Sequence, residues 1–264
     1  MVSVNELINK AKKNVPKVYE SGRKIGYDEG IEEGYDNGLD TAIDIQEEFL
    51  EGQPQSYYDI FWDTFQVNGT RTNYNYAFAG IGFDVELMKP KYPIVPTKAI
   101  YMFAHNTRSY PNQQDYSEIC KKIDLSKVEN ATSIFQNICG KNLTVDLSSC
   151  TSASNAFNCN SGGDIDNLTL KVTEKLTSAS NMFLYNTYLT TLTFTEDSVI
   201  AVGLTLQRCP KLSKASIESI INALSTTTTG LTISLSKTAV NNAFTDAEWT
   251  ALEATKPNWT ISLI

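Results

Sequence analysis

Three short stretches of the chain repeat nearly the same five residues, and each is followed by a run of alternating apolar and polar residues. The stretches are Ala131-Thr-Ser-Ile-Phe135, Ala153-Ser-Asn-Ala-Phe157 and Ala179-Ser-Asn-Met-Phe183, and their phenylalanines lie 22 and 26 residues apart. A period of about 20 to 30 residues with one strand per repeat is typical of solenoids, in which each repeat buries its apolar face only against its neighbours. The repeat therefore predicts a fold that presents surface and favours binding over catalysis.

The alternating runs predict half-buried strands. In Leu143–Leu147, Leu168–Val172 and Leu192–Thr195 the apolar side chains occupy every second position, as one-sided burial requires. If the strands stack in register, their polar side chains form one threonine-rich face, which consists of Thr144, Asp146, Thr169, Lys171, Thr193 and Thr195. This face has two interpretations, a ligand-binding surface or solvated residues with high strand propensity.

The composition changes along the chain and divides it into four predicted segments. They are a helical segment (1–50), an aromatic and proline-rich N-terminal cap with degenerate repeats (51–118), a leucine-rich-repeat-like solenoid (119–213) and a helix–strand cap (214–264). Within the cap, Tyr76-Ala-Phe78 and Tyr101-Met-Phe103 resemble diverged early repeats. The predicted class is α+β, a short solenoid with helices at both ends.

The C-terminal segment carries clear local signals. Ser213 can cap a helix whose isoleucines recur with helical spacing, and Leu231–Leu235 reads as a strand. Thr245 and Glu248 fit a capping box, in which each side chain satisfies a free amide of the other residue. The run Trp259–Leu263 then reads as a final strand, with Trp249 and Trp259 expected to close the end of the core.

A glycine occupies every fourth position near the N-terminus, and four of the five are followed by an apolar residue. Each interior glycine costs a helix about 1 kcal/mol relative to alanine, so an isolated helix is unfavourable. The stripe drifts about 40° per step, so one straight partner helix cannot cover it. The pattern predicts an attachment or oligomerisation site, with a trimer favoured, formed by Gly22, Gly26, Tyr27, Gly30, Ile31, Gly34, Tyr35, Gly38 and Leu39. The alternative is a flexible acidic linker.

The net charge and the hydropathy of the chain argue against two classes of partner, nucleic acids and membranes. The formal net charge is -8 and the pI is about 4.8, which is the wrong sign for a nucleic-acid-binding protein. Residues 1–24 do hold six lysines and arginines, which form either a solvated helix face or a site for an anionic partner. No apolar run approaches the ~20 residues that span a bilayer, and the first residues lack the apolar core of a secretory signal. We therefore expect neither nucleic-acid binding nor membrane insertion.

Chemistry-bearing residues form no recognisable catalytic or cofactor motif. The five cysteines are odd in number and lack C-x-x-C spacing, so buried structural thiols are expected, with a metal or disulfide role as the alternative. The single histidine, His105, is expected on the surface or in a turn. Asp164 and Asp166 are expected in turns, where aspartate is common. The sequence thus predicts a protein without enzymatic activity and without a cofactor.

The repeats resemble the BspA-type leucine-rich-repeat proteins of bacteria and their viruses over residues 70–240. Two further stretches are similar to repeat proteins of phages and prophages: the C-terminal run from Leu212 through Asn222-Ala-Leu224 to Thr255-Lys-Pro-Asn-Trp259, and the segment from Tyr27-Asp-Glu-Gly to Tyr35-Asp-Asn-Gly. This resemblance implies a fibre, spike or decoration protein of a virion, attached to other virion proteins by its N-terminus and contacting a host glycan or protein. The alternative is an adhesin of the bacterial cell surface that binds through the threonine-rich face.

Overall fold

The computed structural model describes residues 71–79, 92–104, 115–160 and 162–264. Almost all of them belong to one compact unit, Thr72–Gly80 with Pro93–Ile264, while Arg71 and Tyr92 belong to a second. In the first unit the elements are α1 (Ser117–Cys120), β1 (Cys139–Gly140), β2 (Leu143–Asp146), β3 (Asp164–Ile165), β4 (Asn167–Lys171), β5 (Thr191–Phe194), β6 (Leu204–Leu206), α2 (Lys214–Ala223), β7 (Leu231–Leu235), α3 (Lys237–Ala243), α4 (Asp246–Glu253) and β8 (Trp259–Leu263). The predicted α+β class is confirmed, whereas the four segment boundaries stay predictions.

The strands form small parallel sheets, ordered β1–β3, β2–β4–β5 and β6–β7–β8. Leu143 lies opposite Leu168, which lies opposite Leu192, so the same position of successive repeats is brought side by side. Parallel neighbours need a crossover connection, and here the rest of each repeat supplies it. The period of the sequence is therefore also the spacing of the strands along the chain.

A row of stacked phenylalanine rings runs through the buried interior. Consecutive ring centroids are 5.2, 5.5, 5.8 and 5.8 Å apart, with the planes within 18° of parallel. Every ring in the row is at most 1 % exposed, and its members are Phe78, Phe103, Phe135, Phe157 and Phe183. Phe78 and Phe103 therefore lie in one row with the phenylalanines of the three clear repeats, while the interpretation of their segments as early repeats stays a prediction.

The residue two positions before each of these phenylalanines has a left-handed backbone. Its φ angle lies between 52° and 56° in all five repeats, at Tyr76, Tyr101, Ser133, Asn155 and Asn181. In the first four, the amide of this residue donates 2.9 Å to a carbonyl one repeat further on, so the turn and the inter-repeat hydrogen bonds coincide. Asparagine tolerates this conformation better than most residues, which explains its place in two of the repeats.

The predicted helix caps and terminal strands are present. Ser213 Oγ accepts a 3.3 Å hydrogen bond from the amide of Ser216 at the start of α2. Thr245 and Glu248 form the predicted capping box at the start of α4. Helix α3, capped by Ser236, was not predicted. Each cap forms between residues only three positions apart, so it depends little on the rest of the fold.

The run Lys256–Trp259 closes the turn that follows α2. The buried Lys256 Nζ donates to the carbonyls of Leu224 at 2.5 Å and Asn222 at 3.1 Å, at the carbonyl end of the helix. Trp259 Nε1 and Asn258 Nδ2 donate to the Ser225 carbonyl at 2.8 and 2.9 Å. Trp259 is buried, as expected, whereas Trp249 is only half-buried and packs edge-on against Phe244.

Candidate binding surfaces

Five of the six predicted face residues lie in the strands of the sheet β2–β4–β5, and Thr195 directly follows β5. Thr144 lies opposite Thr169, which lies opposite Thr193, and Asp146 lies opposite Lys171. All six side chains are exposed or half-exposed, and the apolar residues between them are buried. The predicted threonine-rich face therefore exists as a continuous surface. That it binds a ligand stays a prediction.

One end of this face is occupied by its own polar contacts. Lys171 forms an ion pair with Asp197, and this hydrogen bond raises the pKa of Lys171 and lowers that of Asp197. Thr195 Oγ1 donates to Asp197 Oδ1 at 2.8 Å, and Asp146 Oδ1 accepts from the Ser148 amide at 2.8 Å. Thr144, Thr169 and Thr193 form the row at the other end of the face. Their hydroxyls have no hydrogen-bond partner among the described residues.

A second surface was not predicted from the sequence. Tyr185 and Tyr188 are 42 % and 49 % exposed, and each has a cation over its ring. Arg208 Cζ lies 5.5 Å from the ring centroid of Tyr185, and Lys211 Nζ lies 4.5 Å from that of Tyr188. Both distances are within the range of cation–π attraction. We call these four residues the tyrosine–cation patch.

Buried polar contacts fix the two segments that carry the patch. Between the two tyrosines, the buried Asn186 donates from Nδ2 to the Phe157 carbonyl at 2.5 Å and accepts from Cys159 Sγ at 3.2 Å. Between the two cations, the buried Cys209 donates from Sγ to the Phe183 carbonyl at 3.5 Å. A buried polar group in such a place holds the chain because releasing it would leave an unpaired donor or acceptor. The patch is thus mounted on anchored backbone.

One sequence signal could have revealed the patch. Arg208 follows Tyr185 by 23 residues, and Lys211 follows Tyr188 by the same interval. This interval lies between the two phenylalanine spacings of 22 and 26. Because residues one period apart lie side by side in stacked repeats, the interval places each cation beside its tyrosine. This signal is hard to see because neither the segment with the two tyrosines nor the segment with the two cations contains the Ala-x-x-x-Phe motif.

The predicted attachment site lies outside the described residues. The same holds for the basic group of residues 1–24 and for His105. The attachment role stays a prediction for Gly22, Gly26, Tyr27, Gly30, Ile31, Gly34, Tyr35, Gly38 and Leu39.

The cysteines are buried in the structure, as expected of structural thiols, with Cys139 half-buried as the exception. Burial raises the pKa of Cys139 to about 11 and that of Cys209 to about 12, so both stay protonated near neutral pH. Among the described residues, no cluster of histidine, cysteine and carboxylate side chains has the geometry to hold a metal ion.

The expectation that Asp164 and Asp166 lie in turns is wrong. Asp164 begins β3, where it pairs with Cys139, and Asp166 lies between β3 and β4. The pairing of stacked repeats outweighs the turn propensity of aspartate here. Burial, and then the charge of Asp166, raise the pKa of Asp164, while the charge of Lys211 opposes this rise. In the described part of the chain, Asp164 Oδ1 is buried without a hydrogen-bond partner.

Comparison with known proteins adds no relative, since no family model, curated protein or solved structure matches the chain. Within the described ranges, no helix has both the length and the apolar character that crossing a bilayer requires. The features of the molecule that bear on function are therefore the two surfaces and the stacking of the repeats.

Proposed function

We propose that the chain is a non-enzymatic structural protein of a bacteriophage virion, a fibre, spike or decoration, whose repeats form a short leucine-rich-repeat-like solenoid for host-surface binding. The observation that carries the proposal is the in-register stacking of the repeats. It lines up one phenylalanine of each repeat inside and one polar face outside. A stack of this kind builds an extended surface out of short repeats, and surfaces of this kind serve binding in other repeat proteins.

The covered edge of the sheet β2–β4–β5 supports a compact, mounted module. Helix α2 covers β5, and the Lys256–Trp259 run satisfies carbonyls at the end of α2 and in the turn after it, so the chain itself covers this edge of the repeats. Terminal repeats of solenoids need such caps. Attachment to other virion proteins is then the task of residues 1–50, whose glycine stripe needs a partner surface.

The first test is the location of the protein. Particles of the phage or induced prophage that encodes the chain are purified on a density gradient and analysed by mass spectrometry and by immunogold labelling. We expect the chain to co-purify with the capsid and tail proteins in constant proportion. Recovery only from the bacterial envelope would contradict the virion proposal and favour an adhesin of the bacterial cell surface.

The second test is the division of labour within the chain. Light scattering on the full chain should give an oligomer, with a trimer favoured, and a variant that lacks residues 1–50 should be a folded monomer. This truncation leaves the compact unit Thr72–Gly80 with Pro93–Ile264 whole. A truncated protein that keeps the oligomeric state of the full chain would show that the N-terminal segment is not the oligomerisation site.

A further inference from the structure

Neither cation of the tyrosine–cation patch, Arg208 or Lys211, forms an ion pair in the described part of the chain, although the protein has a net charge of -8. Lys211 acts on Asp164 through space, but the two do not come within ion-pair distance. Both cations are exposed, so their charges are available to an anion.

The two tyrosine rings offer apolar area beside those charges. Each ring carries a cation over its face and still leaves close to half of the residue exposed, at 42 % for Tyr185 and 49 % for Tyr188. Exposed tyrosines supply large contact area at low conformational cost, because the side chain is rigid and amphipathic. The patch thus combines two partly exposed aromatic rings with two exposed cations, on backbone anchored by Asn186 and Cys209.

From this arrangement we propose that the tyrosine–cation patch binds a polysaccharide whose pyranose rings carry carboxylates, as in a polyuronate. The C–H faces of the sugar rings lie against Tyr185 and Tyr188, and the carboxylates pair with Arg208 and Lys211. This proposal rests on the proposed host-surface function and names its ligand class. It assigns that function to residues that the threonine-rich face does not contain.

Carboxylated sugar fits the patch better than an acidic peptide. A peptide that adds to a backbone needs a free strand edge. The loop that carries the tyrosines offers none at three of its amides, because those of Asn186, Thr187 and Leu189 donate to Phe183, Tyr185 and Asn186 carbonyls at 3.4, 2.8 and 3.3 Å. Recognition must therefore come from side chains, and flat rings beside cations suit an anionic pyranose.

The test is affinity electrophoresis and isothermal titration calorimetry on the full chain with polygalacturonate as the probe. Dextran serves as the neutral polysaccharide and poly-L-glutamate as the carboxylated polymer without sugar rings. We expect binding to polygalacturonate that weakens as salt rises, since exposed charges are screened. We expect no binding to dextran and clearly weaker binding to poly-L-glutamate.

Four variants separate the contributions. Arg208→Gln/Lys211→Gln should weaken binding at least about tenfold, which corresponds to ~1.4 kcal/mol. Its matched control, Lys175→Gln/Lys237→Gln, removes two exposed lysines elsewhere and should bind like the wild type. Tyr185→Asn/Tyr188→Ala should also lose binding, with asparagine chosen because Tyr185 has a φ of 62°. Tyr185→Phe/Tyr188→Phe keeps both rings and should retain binding.

Three results would overturn the proposal. They are no binding of the wild type to polygalacturonate, an equal loss in the Lys175/Lys237 control, or equally tight binding to poly-L-glutamate that does not need the tyrosine rings. Circular dichroism of each variant shows whether it is folded, and the conservative Phe and Gln variants decide the matter if the Asn/Ala variant is not. Location in virions without polygalacturonate binding would refute the patch alone, and binding by a chain absent from virions would refute the virion proposal alone.

Discussion

The backbone amide of Leu192, on the outer strand β5, donates a 3.0 Å hydrogen bond to the hydroxyl oxygen of Ser216 in helix α2. One turn further along the helix, Ser219 Oγ accepts a 2.8 Å hydrogen bond from the amide of Phe194. Ser216 also donates to the Thr190 carbonyl at 3.2 Å. The helix therefore satisfies an edge that a further strand would otherwise pair, and it does so with side chains spaced three residues apart on one face.

The small Ser216 hydroxyl should contribute strongly to stability, because it is the acceptor for a buried amide. Ser216→Ala leaves the amide of Leu192, a buried residue, without its acceptor, and an unpaired buried donor costs about 1–3 kcal/mol. Asn222→Ala, at an exposed position of the same helix, should stay within about 0.5 kcal/mol of the wild type. Urea denaturation measures both. Equal midpoints for the two variants would show that water replaces the serine.

The central phenylalanine of the buried row should be among the most sensitive positions of the core. Phe157 is fully buried and stacks at 5.8 Å against both Phe135 and Phe183. Phe157→Ala should cost about 3–5 kcal/mol, because it removes apolar contact and leaves a cavity inside the stack. Phe157→Leu retains much of the volume and should cost clearly less. A urea denaturation series that ranks the two variants alike would argue against a packed row.

The left-handed backbone before each phenylalanine can be tested at Asn181. This residue is exposed and has a φ of 55°, so its side chain contributes little packing. Asn181→Ala should cost about 1–2 kcal/mol, the penalty of a Cβ in this region, whereas Asn181→Gly should cost little or nothing. Thermal unfolding followed by circular dichroism compares them. If alanine is tolerated as well as glycine, the left-handed turn is not maintained in solution.

Sequence patterns predicted the elements that depend on residues close together in the sequence. Strands β2, β4, β5, β7 and β8, the Ser213 cap and the Thr245–Glu248 capping box were predicted, since period-2 alternation and capping residues act within a few positions. The short strands β1, β3 and β6 were not predicted. Helix α3 was missed because its polar sequence buries only Ala239 and Val240, too few to show a periodic stripe.

The remaining features depend on which repeats become neighbours in space. Asp164 has the propensity of a turn residue, yet pairing with Cys139 extends a ladder through it. Ser216 and Ser219 accept hydrogen bonds from the edge of β5 where a further strand would otherwise pair, and Lys211 lies over the ring of Tyr188. Neither contact can be predicted before the stacking order of the repeats is known. The threonine-rich face was predictable because its residues belong to the repeated strand pattern itself. The residues of the tyrosine–cation patch are spaced by about one repeat but lie outside the repeated Ala-x-x-x-Phe motif.

Acid should weaken the start of α4 through Glu248. The hydrogen bond from Lys214 Nζ at 2.7 Å, and then those from Thr245, lower the pKa of Glu248 to about 2. The folded pKa lies below the ordinary glutamate value of ~4.3, so this stabilisation is complete above that value and is lost as the pH falls towards about 2. Urea midpoints measured from pH 6 to pH 2 should therefore show Glu248→Gln less stable than the wild type at pH 6, with the gap narrowing below pH ~4.3. Glu196→Gln removes the same charge from an exposed position, and its urea midpoints should follow those of the wild type over this pH range. If the difference between the wild type and Glu248→Gln stays constant with pH, the carboxylate contacts of Glu248 do not form in solution.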